Sequence, residues 1–154
     1  RRLRVIEKLA QAGISCGVNV APVIPGLNDA DIASILEAAR ERGATHAGYV
    51  LLRLPGSVKS VFEERIRAAL PLRAEKILRR IRDTRGGELY NAKFGERQVG
   101  TGVYADQIRA IFTQTCARLG FNGEGMDGAL SRNENPVAPP AAPAPPKAQL
   151  GLFD

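Results

Sequence analysis

Apolar residues recur at helical spacing over Arg2 to Ala12, where Leu3, Ile6, Leu9 and Ala10 fall on one face and Gly13 supplies a stop. The period then changes. Cys16 to Val23 is a short apolar run, with Cys16, Val18 and Val20 on one side and Gly17, Asn19, Ala21 and Val23 on the other. Both sets are mostly apolar, which predicts a strand buried on both faces in a parallel sheet, with Asn19 turned to a polar lumen. The run ends in a loop with two prolines and a glycine. Asn28 or Asp29 then offers an N-cap to a helix over Ala30 to Arg40, whose Ile32, Ile35, Leu36 and Ala39 face inward. Ala47 to Leu54 predicts a second strand, closed by Pro55-Gly56. In it Val50, Leu52 and Leu54 form the face that packs under helices, and Tyr49, Leu51 and Arg53 the other. Helix, strand, helix, strand at this spacing is βαβ architecture, in which ligands sit at the C-terminal strand ends.

Beyond Pro55 the pattern is helical. Ser57 to Leu70 and Leu72 to Thr84 predict two helices around Pro71, and the glycine-rich Gly86 to Gly102 reads mainly as loop. Tyr104 to Leu119 is an amphipathic helix with Ile108, Ile111, Phe112, Thr115, Cys116 and Leu119 along one side. From Gly120 the composition shifts, and the proline and alanine run Pro139 to Pro146 predicts an extended, disordered tail.

Composition adds limits. At 154 residues the chain suits one modest core and is too short for an eight-stranded α/β barrel. It opens without Met and already in a helical pattern, and we expect a missing N-terminal half. The net charge is +6, and residues 123–154 are themselves acidic, so the globular part is the more basic. A basic balance favours anionic partners. Arg73, Lys76, Arg79, Arg80 and Arg82 crowd one predicted helix, with Arg73, Lys76 and Arg80 on one face, and Arg85, Lys93 and Arg97 follow in the loop. Such a face binds phosphate backbone or is simply solvated. The two cysteines, Cys16 and Cys116, form no metal-binding spacing and read as core residues in a reducing cytoplasm. The lone His46 reads as surface. No apolar run is long enough to span a membrane.

The run A-P-V-I-P-G-L-N-D at Ala21 to Asp29, the preceding R-L-x-x-I-x-x-L-A-x-A-G-I and the following A-G-Y-V-L-L-R-L-P resemble the C-terminal half of a radical S-adenosylmethionine enzyme. The family related to the spore photoproduct lyases is the nearest in pattern. R-G-G-x-x-Y-N-A-K-F-G at Arg85 to Gly95 and G-x-G-x-Y-A-D at Gly100 to Asp106 resemble that family's C-terminal extension. The resemblance implies the last two βα units of a partial (βα)6 barrel over residues 1–56, then a mainly helical extension over 57–121. It implies S-adenosylmethionine and a [4Fe-4S] cluster as cofactors of the complete protein. The cluster is held by a C-x-x-x-C-x-x-C loop that this sequence lacks, so the fragment alone is expected to be inactive. Val23, Ile24, Pro25 and Gly26 match the loop that touches adenine in the family. Leu52 and Arg53 end the last strand on the other side of the adenosine, Arg53 being suited to a carboxylate or phosphate, and Asn19 to the ribose or amino-acid end. No catalytic residue is assigned.

After a linker over 122–148, the final segment, 149–154, carries Q-L-G-L-F. Gln149, Leu150, Leu152 and Phe153 resemble the bacterial peptide that binds the DNA sliding clamp, which makes the clamp, and DNA itself, candidate partners. Two other readings stand beside the radical enzyme. One is a basic nucleic-acid-associated binding module tethered to the clamp. The other is an unrelated α/β-barrel enzyme that binds phosphate at the same strand ends.

Overall fold

The computed structural model describes residues 1–121. Its mixed α/β fold runs α1 (Arg2–Gln11), β1 (Gly17–Val23), a 3-10 turn (Asp29–Asp31), α2 (Ile32–Glu41), β2 (His46–Leu51), α3 (Val58–Ala69), α4 (Ala74–Asp83), the single turn α5 (Glu96–Val99) and α6 (Val103–Leu119). The Pro/Ala-rich tail and the peptide at 149–153 lie outside the described residues. Among the described residues no helix is long and apolar enough to cross a membrane.

β1 and β2 pair in parallel, Gly17 opposite His46 through Val20 opposite Tyr49. The register then slips, so that Val23 stands opposite Leu51, and the peptide bond Ala21–Pro22 within the slip is cis. The sheet is covered on one side only. Val20 and Val23 of β1 and Tyr49 and Leu51 of β2 are buried against Ile32, Leu36 and Ala39 of α2 and Ile108, Phe112 and Cys116 of α6. The Tyr49 and Phe112 rings meet with centroids 4.8 Å apart, tilted 46°. Two expectations are corrected here. β1 is not buried on both faces: Gly17, Asn19 and Ala21 are exposed. In β2 the helix-packing face is Tyr49 and Leu51, while Val50 and Leu52 are only half-buried. Apolar residues on both sides of β2 made its alternation ambiguous, and the bulk of Tyr49 against Phe112 settles which side turns inward.

A second cluster forms under the strand ends. Leu54, Ile66, Ile77, Leu78, Ile81 and Leu89 bury one another between α3, α4 and the loop after it, with Ile24, Leu27 and Leu52 packed on their edge. The helices follow the apolar periods closely. The exceptions are Ile111, 45% exposed although placed on the inner face of α6, and α1, which has no fully buried residue and leaves Leu3 and Val5 exposed. The segment 86–102, expected to be mainly loop, holds α5 and owes its course to glycine. Gly100, at φ +74°, is buried, and a Cβ there would lie 2.8 Å from both the Thr84 carbonyl oxygen and Leu51 Cδ1. Only glycine lets this backbone lie against the end of α4.

Candidate functional site at the strand ends

The loop from Val23 to Asp29 leaves the C-terminal end of β1 and is held by its own side chains. Asn28 and Asp29 do not cap a helix, as their position suggests; neither the 3-10 turn nor α2 has a side-chain cap. Both turn back instead. Asn28 Oδ1 accepts from the Ile24 amide at 2.6 Å, Asn28 Nδ2 donates to the Pro22 carbonyl at 3.1 Å, and Asp29 Oδ1 accepts from the Gly26 amide at 3.0 Å. Short polar side chains compete with the backbone for the same groups, and here the loop wins over the helix start.

The extension closes over this loop. The Tyr104 hydroxyl donates to Asp29 Oδ2 across 75 residues of sequence. The Arg80 guanidinium stacks over the Tyr104 ring, 4.3 Å from its centroid, and Arg73 donates to the Gly26 carbonyl at 3.2 Å. Gly26 itself, at φ +79°, faces α4: a Cβ there would lie 3.2 Å from Arg80 Cγ. Arg80, Asp83, Val103, Tyr104 and Gln107 border an open depression of about 330 Å³ beside this latch. Burial first, then the Asp29 bond and charge, push the Tyr104 phenol up to about 12. The folded protein therefore holds this proton more tightly than an unfolded chain, whose tyrosine titrates near 10.0. The latch contributes its stability fully below pH 10 and loses it as pH rises toward 12. Tyr104→Phe is expected to lower stability at neutral pH by about 1 kcal/mol and to flatten the loss between those pH values. Urea melts at several pH values check this; an unchanged alkaline limb would show that the phenol does not carry it.

The sequence-assigned residues separate into two surroundings. Val23 and Pro25 are buried, and Ile24 and Gly26 are half-buried. Much of the loop's backbone is already engaged: the Ile24 carbonyl accepts from the amides of Leu27 and Asn28, and the Val23 carbonyl from the Leu52 amide at 2.8 Å. What these four residues offer a ligand is mainly shape and apolar surface. Asn19 instead lies on the open face of the sheet, opposite Gly48 in the register and between the small residues Gly17 and Ala21. A Cβ at Gly48 would meet only Asn19 Oδ1, at 3.5 Å. That face carries the Asn19 amide beside Gly48 and the half-buried Val50, and it closes at Gly17, where a Cβ would lie 3.0 Å from His46 Cβ.

Leu52 and Arg53 continue past β2. Leu52 is half-buried against the second cluster, and Arg53 is half-buried with a buried Nε that has no partner among the described residues. Arg85, expected in a solvated basic loop, is instead 3% exposed. It donates to the Leu52 carbonyl at 2.9 Å, the Leu51 carbonyl at 3.4 Å and the Glu96 carbonyl at 3.0 Å. The carbonyls leaving a strand end need donors, and a guanidinium with five is well matched to several at once. Of the other basic residues, Arg73, Lys76, Arg79 and Lys93 are exposed and Arg80, Arg82 and Arg97 half-buried; Arg82 pairs with Glu63 at 3.6 Å, Lys93 with Glu96, and Arg97 lies over the exposed Phe94 ring. His46 opens β2, half-buried beside Thr45 Oγ1. Sequence reasoning missed Arg85, Asp29 and Tyr104 as site-forming residues. The signals were the Gly86-Gly87 pair after Arg85 and the G-x-G before Tyr104, near the turns that return Arg85 to the end of β2 and Tyr104 to the loop after β1.

Neither cysteine is arranged to bind metal. Cys116 is buried in the core, which pushes its thiol up to about 11, and Cys16 Sγ lies 3.8 Å from the Ile6 carbonyl. Among the described residues no group of three or more His, Cys, Asp or Glu side chains could hold a metal ion. Comparison of the chain with protein-family models, with curated proteins and with solved structures finds no match.

Proposed function

We propose that this chain forms the cofactor-closing C-terminal part of a radical S-adenosylmethionine enzyme related to the spore photoproduct lyases, with residues 1–56 as the last two βα units of its partial barrel. The observation that favours this reading is the parallel βαβ unit with one covered face and one bare one. The bare face carries Asn19 among glycine and alanine, and its C-terminal edge ends in a loop fixed by Asn28, Asp29 and Tyr104. Parallel strands are ordinarily covered on both faces, and the bare side is where a lumen would lie.

The residues present do not fit a [4Fe-4S] cluster. Three thiolates are needed, and the chain has two cysteines far apart, one of them sealed in the core. No step through the cluster is therefore assigned to this chain, and its ligands would come from another segment of polypeptide. For S-adenosylmethionine the fit is partial. Asn19 and the small residues beside it suit a flat nucleoside, and Ile24 and Pro25 give an apolar edge. The engaged amides of Ile24 and Gly26 leave little backbone for hydrogen bonds to the base.

Anaerobic reconstitution with iron and sulfide tests the reading. The 154-residue chain is expected to take up no cluster and to release no 5′-deoxyadenosine from S-adenosylmethionine under a strong reductant. A polypeptide in which a C-x-x-x-C-x-x-C segment precedes the same chain is expected to do both. A stoichiometric cluster on the chain alone, or none on the longer polypeptide, overturns it. Alongside this we place the second element of the reading, that the Q-L-G-L-F peptide at 149–153 tethers the protein to the DNA sliding clamp.

A further inference from the structure

Arg53 and Arg85 stand together at the C-terminal end of β2, and the acidic group that acts on Arg85 there is the Tyr90 phenol. Arg85 Nη2 donates to the carbonyl of Leu52, the residue before Arg53. Neither arginine forms a salt bridge among the described residues, although seven such bridges join other side chains there. Arg85 is buried, and its bonds run to neutral carbonyls. Arg53 adds a second cation whose Nε is buried without an acceptor. Burial, and after it the Arg53 charge, pushes the Arg85 guanidinium below its ordinary value. Two neighbouring cations with a stranded donor are an unfavourable arrangement for a protein on its own. It becomes favourable when an oxyanion settles on the accessible end of Arg53, where it offsets the charge of both guanidinia.

We infer that Arg53, backed by Arg85, forms a binding site for an oxyanion, a carboxylate or phosphoryl group of a small molecule, at the end of β2. Arg85 holds the carbonyls of the strand end and supplies field. Arg53 makes the contact through its two Nη groups, which lie outside the buried Nε and carry no hydrogen bond among the described residues. The site lies at the strand ends but stands without the S-adenosylmethionine reading, because it needs neither cluster nor cofactor.

The stem of Arg53 is half-buried, so Arg53→Met keeps the packing and removes the charge and the stranded Nε. A residue with a purely structural role destabilises when replaced. A binding residue in an unfavourable ground state does the reverse. In a chloride buffer Arg53→Met is expected to melt about 1–3 °C above the wild-type 154-residue chain. Inorganic phosphate and sodium acetate, each added at constant ionic strength, form the two further arms. At least one is expected to raise the wild-type melting temperature and to leave Arg53→Met unmoved. A larger rise with phosphate identifies a phosphoryl ligand, and a larger rise with acetate a carboxylate. Arg53→Met melting below wild type overturns the site, as does an anion response absent from the wild type or shared equally by the variant. Formation of 5′-deoxyadenosine by the longer polypeptide is a separate measurement, so failure of either reading is visible without the other.

Discussion

Arg85→Ala is expected to lower unfolding free energy by roughly 3 kcal/mol, a larger effect than any surface arginine of this chain should show. The side chain is 3% exposed and is the donor for the Leu51, Leu52 and Glu96 carbonyls. A hydrogen bond from a charged donor is worth about 1.5–3 kcal/mol, and a buried carbonyl left alone costs about 1–3 kcal/mol. Against this stands the relief of no longer burying a cation, which offsets part of the sum. The bonds win because three acceptors in two chain segments lose their donor at once. Arg85→Lys is expected to recover only part of the loss, since one ammonium does not reproduce the planar fork. Urea denaturation measures both. A change in Arg85→Ala smaller than about 0.5 kcal/mol would mean that water serves those carbonyls equally well. The contrast with Arg53→Met is informative: two neighbouring arginines should shift stability in opposite directions.

Loss of clamp binding in a Leu152→Ala, Phe153→Ala double variant is the second large effect expected. Three large apolar residues, Leu150, Leu152 and Phe153, end a stretch rich in proline and alanine. A short peptide of this kind should bind in the micromolar range, which corresponds to about 8 kcal/mol. Full burial of a leucine or phenylalanine is worth roughly 1.5–3 kcal/mol. Removing two therefore takes about 3–6 kcal/mol, a loss of a hundredfold or more. Gln149 would set register by hydrogen bonds, and the proline-rich stretch would act as a spacer. Titration of the 154-residue chain against purified clamp, wild type beside the double variant, gives the answer. No binding at high micromolar clamp, or binding that survives both alanines, removes the tether.

The elements that sequence revealed best are those with a single strong period. The apolar stripe of α6 and the Ile32, Ile35, Leu36, Ala39 face of α2 needed no partner to be recognised: Ile35 and Leu119 are half-buried, Ile111 stays exposed, and the rest of both faces is buried. β2 was legible as a strand but not in its orientation, because both of its faces are apolar. Asn28 and Asp29 read as N-cap residues in the sequence and brace the loop backwards instead, because they are taken by the Ile24 and Gly26 amides, which only the folded loop brings near. Arg85 was the least legible. An arginine beyond a basic helix reads as solvated, and its burial follows from glycines that bend 86–102 back against β2. The Tyr104 to Asp29 latch spans 75 residues, a distance at which local pattern carries no information.

The sharing of one core between β1, β2, α2 and α6 has a consequence for synthesis. The strands leave the ribosome with only α2 to cover Tyr49 and Leu51, and Ile108 and Phe112, which complete their burial, are made some 60 residues later. At about 5–20 residues per second that interval is roughly 3–12 seconds. Throughout it the nascent chain presents an apolar sheet face and open strand edges, the features that recruit chaperones and nucleate aggregation. A stalled or truncated product ending near Pro55 should therefore be a client of quality control, not a stable half-protein.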